Sequence, residues 1–242
     1  RTAQAFHHAG GRVAAVVDTR TEVPAAVVRS VEALGITVHH DAAVIGTRGH
    51  RALRAVTIRT SGGEQRAVNC DLLAISGGQN PMVNLFSQSG GELVFDEQGL
   101  MFVPRQSVQA ECSVGAARGQ LRLSDALTAG HAAGLATGSS PSATRSAPQA
   151  TEQHDAPTIA PCWAVDAPGK AFVDLMNDVS VDDIRLSARE NFQSIEHLKR
   201  YTTLGMATDQ GKTSNVNAVA IMAGLTKRGI AETGTTRFRF PV

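Results

Sequence analysis

Arg12-Val13-Ala14-Ala15-Val16-Val17-Asp18 is an apolar run closed by an acid, and it limits the fold more than any other stretch. A strand without polar alternation belongs in a parallel sheet covered on both faces by helices. Residues 24–34, opening with Pro24, have a helical pattern, and Gly35-Ile36-Thr37-Val38-His39-His40 reads as a second, short strand. With the helix before it and Gly10-Gly11, the run from Arg12 to Asp18 reads as the second strand of a nucleotide-binding βαβ unit, which places the chain in the α/β class. Asp18 stands where such a unit offers a carboxylate to a ribose hydroxyl, and equally where an acid caps the next helix. The glycine fingerprint belongs about twenty residues earlier. The opening residues, Arg1 to Gly10, read as the inside of an amphipathic helix, so the chain is expected to be a fragment.

Beyond the βαβ unit, Ala52 to Arg59 and Gln65 to Cys70 read as two strands of a hairpin joined through Ser61-Gly62-Gly63-Glu64. Cys70-Asp71-Leu72-Leu73-Ala74-Ile75-Ser76 has the pattern of a buried strand, breaking into Gly77-Gly78-Gln79-Asn80-Pro81. The two glycines there permit either close approach to a cofactor or a tight turn. Glu111 to Gly119 reads as a strand followed by small residues, and Leu123 to Ala136 as an alanine-rich helix. From Gly138 to Gly169 the chain is rich in Ser, Ala, Pro and Thr without hydrophobic period, a linker in which Trp163 is expected to dock on a domain surface. His154 and Asp155 within it read as solvated polar residues. After Lys170 the pattern turns helical. Ser180 is a good N-cap with Asp182 and Asp183 in the first turn, and Phe192, Ile195 and Leu198 form a core face.

Composition excludes several classes. A net charge of +1 gives no basis for binding nucleic acid or an anionic membrane. No stretch has the length and apolarity of a membrane span. Cys70, Cys112 and Cys162 are an odd, widely spaced set, which fits a reducing compartment, expected to be the cytoplasm, and cannot make a four-thiolate metal site.

The stretch Tyr201-Thr202-Thr203-Leu204-Gly205-Met206-Ala207-Thr208-Asp209-Gln210-Gly211-Lys212-Thr213-Ser214-Asn215 holds two glycines, a lysine and many hydroxyl and amide groups, and an apolar helix, Val216 to Gly224, follows it. Such a stretch serves an anion, a cofactor edge or another subunit, or is simply a well-capped helix start. A phosphate-binding P-loop is excluded. It needs four residues between its glycines, and counting back from Gly211 reaches Met206.

Together with Phe172 to Val179, Asp182 to Arg185, Glu196 to Thr203 and Gly234 to Arg239, this stretch resembles the α subunit of heterotetrameric sarcosine oxidase. The resemblance covers nearly the whole chain. It implies a partial two-dinucleotide-binding-domain fold of the FAD/NAD(P)-reductase type over residues 1–137, a linker over 138–169, and a small, mainly α-helical BFD-like domain over 170–228. Residues 229–242 would then begin the connection to a folate-binding domain. The helical domain resembles 2Fe–2S modules that hold their cluster with four thiolates. The matching positions here are Asp174, Met176, Asp209 and Ser214, so no cluster is expected and no metal site is assigned.

The resemblance further implies an oxidoreductase acting on CH–NH donors, demethylating sarcosine to glycine with O2 and tetrahydrofolate. FAD would lie in the β subunit and FMN would be shared with it, with γ and δ subunits completing the complex. Carried over by position, Ala116, Leu121 and Leu123 would contact NAD, and Gln210, Gly211, Lys212 and Thr213 would face the FMN. No catalytic residue is assigned, since no general-base constellation is present. The rival expectation is a non-catalytic docking subunit of another amine or opine dehydrogenase complex.

Overall fold

The structure is a computed structural model, which describes residues 1–138, 146–150 and 159–235. Part of the linker, His154 and Asp155 included, and the residues beyond Thr235 lie outside the described residues. The chain divides into two compact units. One comprises Arg1–Ser76 and Ala160–Ala171, the other Gly77–Ile159 and Phe172–Val242.

The first unit opens with α1 (Thr2–His8), which leads into β1 (Ala15–Val17), and β1 and β2 (Thr37–His39) pair in parallel around α2 (Ala25–Glu32). A meander follows, with β3 (Ala42–Gly49), β4 (Leu53–Thr60) and β5 (Gln65–Asn69) antiparallel in that order. The β4–β5 hairpin is the one expected. The strand β3 was not anticipated; it pairs antiparallel along the length of β4. Val56 and Ile58 of β4 are buried on one face, and Ala55 on the other face is buried as well. At its end the same unit takes in residues 160–171, where the Arg59 guanidinium donates to the Asp166 carbonyl and Trp163 is half-buried.

One expectation fails in this unit. Residues 70–76 form no strand among the described residues, and Leu72 and Ile75 are 66% and 82% exposed. An apolar strand is buried only when sheet neighbours and covering helices exist, and β1 and β2 form a sheet of two strands alone.

The second unit contains α3 (Asn84–Gln88), the hairpin of β6 (Glu92–Asp96) and β7 (Met101–Gln106), a 3₁₀ turn at Gly115–Arg118, and α4 (Leu123–Thr137). After the linker come β8 (Phe172–Asp174), β9 (Val179–Ser180), α5 (Val181–Arg189), α6 (Ile195–Thr202), α7 (Asn215–Thr226) and α8 (Ile230–Thr233). Its core unites Phe102 of β7 with Val179, Ile184, Ile195, Leu198, Leu204, Ala218, Val219 and Met222 of the helical part. The β6–β7 hairpin therefore packs on the helices that follow Lys170, a grouping that the sequence expectation of a boundary at 138–169 does not contain. The expected strand at 111–114 is unpaired and passes into the 3₁₀ turn, whereas the helix after it forms as expected.

Local signals account for the helices. Ser180 closes a full capping box: its Oγ accepts from the Asp183 N–H, and Asp183 Oδ2 accepts from the Ser180 N–H at 2.8 Å. Ser194 caps α6, accepting from the His197 N–H at 3.2 Å. Ile195 and Leu198 are buried as expected, but Phe192 is 39% exposed. It lies between α5 and α6 and stacks on Tyr201, ring centroids 5.0 Å apart, instead of entering the core.

Candidate functional site

In the second unit three loops converge around Asp174 and Asn215. Asp174 ends β8 and is only 1% exposed. Its Oδ1 accepts from the N–H groups of Met176 (2.9 Å) and Asn177 (3.3 Å), which closes the 174–178 turn. Its Oδ2 accepts from the Gly205 N–H at 2.8 Å, across thirty-one positions of sequence. A second tie joins the same loops, where Asn177 Nδ2 donates to the Thr203 carbonyl at 2.8 Å.

Gly205 and Gly211 lie back to back on either side of the Asn215 side chain. Both have positive φ, +63° and +73°, and a Cβ on either one would run into Asn215 Oδ1. A side chain on Gly205 would also come within 3.2 Å of the Gly211 Cα. Only glycine supplies this conformation together with this closeness. Asn215 Nδ2 donates to the Gln210 carbonyl at 3.4 Å, which links the hub to the stretch before α7.

That stretch is already supplied with an anion of its own. Asp209 Oδ1 accepts from the Gly211 N–H (3.2 Å) and Oδ2 from the Thr213 hydroxyl (3.1 Å). Gln210, at φ +52°, donates its side-chain amide to the Ala207 carbonyl at 2.9 Å. The groups a phosphate would use are thus engaged, while the Lys212 ammonium, on a half-buried residue, adds a positive charge at the start of α7. Ser214, fully buried, has an Oγ without a partner among the described residues. Around the hub, Leu175, Met176 and Met206 are 75%, 57% and 52% exposed.

Of the predicted set, Gln210 and Lys212 are half-buried and Thr213 is exposed, while Gly211 between them is buried against Asn215. The structure places the other predicted set on separate elements. Ala116 is exposed in the 3₁₀ turn, Leu121 is half-buried, and Leu123, 59% exposed, is the first residue of α4. The 3₁₀ turn is fixed by the Gly115 N–H donating to Gln120 Oε1 at 2.9 Å, and by Gly119, where a Cβ would press on Val103 of β7. The N-terminus of α4 has no side-chain cap.

Of the four positions matched to cluster thiolates, Asp174 and Ser214 are buried, Asp209 is half-buried and Met176 is exposed. The Asp174 oxygens are taken by backbone donors and none of the four is a thiolate, so the residues present do not fit a 2Fe–2S cluster. Among the described residues no three His, Cys, Asp or Glu side chains gather as a metal site. Asn215 was not foreseen as the pivot. The signal available was the pair of glycines six residues apart, with an amide four residues after the second.

In the first unit, Asp18 follows β1 and its carboxylate is held by Arg20, with Nε donating to Oδ1 at 2.9 Å, NH2 to Oδ2 at 2.6 Å and the backbone N–H to Oδ1 at 3.0 Å. The Arg20 side-chain hydrogen bond lowers the Asp18 pKa, against a smaller opposing effect of burial. The Asp18 side chain is thus engaged with its neighbour rather than capping α2, whose N-cap is Pro24.

This mixed α/β fold is shared with a solved structure, that of L-proline dehydrogenase from P. horikoshii. The TM-score is 0.59 at 18% identity, over 94% of this chain and 47% of that one. The model of the sarcosine oxidase A3 domain matches residues 168–242, the part that carries the hub. The chain is 37% identical over 251 residues to the sarcosine oxidase subunit alpha of Corynebacterium sp. (strain P-1), covering 96% of this chain and 26% of the relative. To the corresponding subunit of Rhizobium meliloti (strain 1021) it is 36% identical over 244 residues, covering 98% and 24%. The chain belongs to the sarcosine oxidase α-subunit family, and it spans about a quarter of the length of the curated relatives it matches. No helix among the described residues is long and apolar enough to cross a membrane.

Proposed function

We propose that this chain works as part of an oxidoreductase complex that oxidises sarcosine, a CH–NH donor, to glycine, and that its hub forms the α-subunit wall of an FMN site at the boundary with a β subunit. The observation that supports the reading is that Gln210, Lys212 and Thr213 reach the surface around buried Gly211, which is packed on Asn215, within the stretch matched by the A3 domain model. FMN supplies temporary storage of electrons between an amine-oxidising FAD in the partner and O2. With Asp209 filling the N–H and hydroxyl donors, the surface suits the electron-rich edge of a flavin ring better than its phosphate. Lys212 contributes a positive charge to that edge, and buried Gly211, packed on Asn215, fixes the backbone that carries it.

In the same reading the second unit begins with part of a dinucleotide-binding fold, and the cluster-free helical module follows it. Ala116, Leu121 and Leu123 contribute apolar contact to NAD, and the uncapped N-terminus of α4 offers N–H groups to its pyrophosphate. The one-carbon unit passes to tetrahydrofolate on a domain outside these residues, and γ and δ subunits complete the assembly. This chain's own residues bind and orient; none of them takes the proton or the electrons from the amine. A docking role without cofactor contact is the second reading, favoured by the exposed Leu175, Met176 and Met206 around the hub.

Lys212→Met in the assembled complex distinguishes the two. Losing a charged hydrogen bond of about 1.5–3 kcal/mol lowers FMN retention and slows electron transfer between the flavins. Unchanged values for both would leave the hub as a docking surface alone.

A further inference from the structure

Asp174 is the most deeply buried acid of the chain's described residues, and the proposed function does not use it. Its carboxylate accepts from three backbone N–H groups: two belong to its own turn and the third to Gly205. Closing a turn needs one acceptor oxygen, which asparagine supplies as well as aspartate. Holding Gly205 at the same time needs the second oxygen. In an asparagine that position is an NH2, a donor facing a donor.

What Gly205 touches gives the second oxygen its consequence. Gly205 lies against Gly211 and Asn215, and Asn215 Nδ2 reaches the Gln210 carbonyl. A chain of contacts thus runs from Asp174 Oδ2 through Gly205 to Gln210–Thr213. We propose that Asp174 is the positioning residue of the hub: its two buried carboxyl oxygens hold the 203–206 loop, and through it the Gln210–Thr213 surface, in the arrangement that meets the cofactor. The inference rests on the flavin-facing reading of that surface, but the Asp174–Gly205 link is measurable without it.

The test is Asp174→Asn in the assembled complex, with Asn177→Ala as the companion. Amide exchange at Gly205 reads the link, and the visible circular dichroism of the bound flavin reads its effect at the cofactor. Asp174→Asn is expected to speed Gly205 exchange about tenfold or more and to shift the flavin signal. Asn177→Ala, which cuts only the tie to the Thr203 carbonyl, is expected to leave Gly205 protected and the flavin signal in place. Unchanged Gly205 exchange in Asp174→Asn overturns the proposal, whatever Lys212→Met does. Faster exchange with an unaltered flavin signal also overturns it, since Asp174 would then be structural only. An equal flavin change in Asn177→Ala overturns it as well, because general loosening of the loops would explain both.

Discussion

Replacing Gly211 with alanine tests the geometry of the hub most sharply. The residue sits at φ +73°, and a Cβ there would collide with the Oδ1, Cγ and Nδ2 atoms of Asn215. The left-handed conformation alone costs an alanine about 1 kcal/mol. Asn215 must then move, which gives up its bond to the Gln210 carbonyl, about 1 kcal/mol. Forcing a methyl group into a filled space adds about 1–3 kcal/mol. The sum is about 3–5 kcal/mol. Gly115 is the control in the same unit. It has a similar φ of +63°, but a Cβ there would merely touch the Ala126 methyl at 3.6 Å. Gly115→Ala should therefore cost only the conformational part, about 1 kcal/mol. Urea unfolding followed by the fluorescence or circular dichroism of the second unit gives both values. Equal losses for the two variants would refute the close packing of Gly211 on Asn215.

Ser180→Ala removes half of the capping box on α5 and should lower the stability of the second unit by about 1 kcal/mol, read from the urea midpoint at constant slope. In the first unit, Arg20→Ala should destabilise at neutral pH, because Arg20 holds the Asp18 pKa below its ordinary value. A depressed carboxyl pKa stabilises above the unfolded value, about 4, and the gain is lost as pH falls through the folded value. The gap between wild type and Arg20→Ala should thus be constant near neutrality and close on acidification below about pH 4. Since both side chains reach solvent, the gap is about 1 kcal/mol or less. A gap that widens in acid would show the sign to be wrong.

Wherever short-range chemistry decides the structure, the sequence was legible. The β4–β5 hairpin, α2 behind Pro24, α5 behind Ser180 and α7 behind the glycine-rich stretch all follow from turn and cap residues within a few positions of each element. Burial was legible only where the partner was also readable. Ile195 and Leu198 enter the core because α5 and α7 are there to receive them, while Leu72 and Ile75 carry as strong an apolar signal and remain exposed. Phe192 followed the helical spacing on paper but falls in the break between α5 and α6. The packing of the β6–β7 hairpin on the helical part is a pairing across the linker, and no local pattern announces it. At the candidate site the sequence marked Gln210 to Thr213 as one surface. It did not show that Asp209 already fills the donors of that surface, or that Asn215 is wedged between Gly205 and Gly211.

The central claim, that the hub is the α-subunit wall of a flavin site, is tested most directly by the structure of the assembled complex. The quantity to measure is the separation between the Lys212 Nζ and the nearest flavin ring atom. A contact at hydrogen-bond distance, about 3 Å, is the predicted result. A flavin lying elsewhere, with Leu175, Met176 and Met206 buried against protein and Lys212 in solvent, would contradict it.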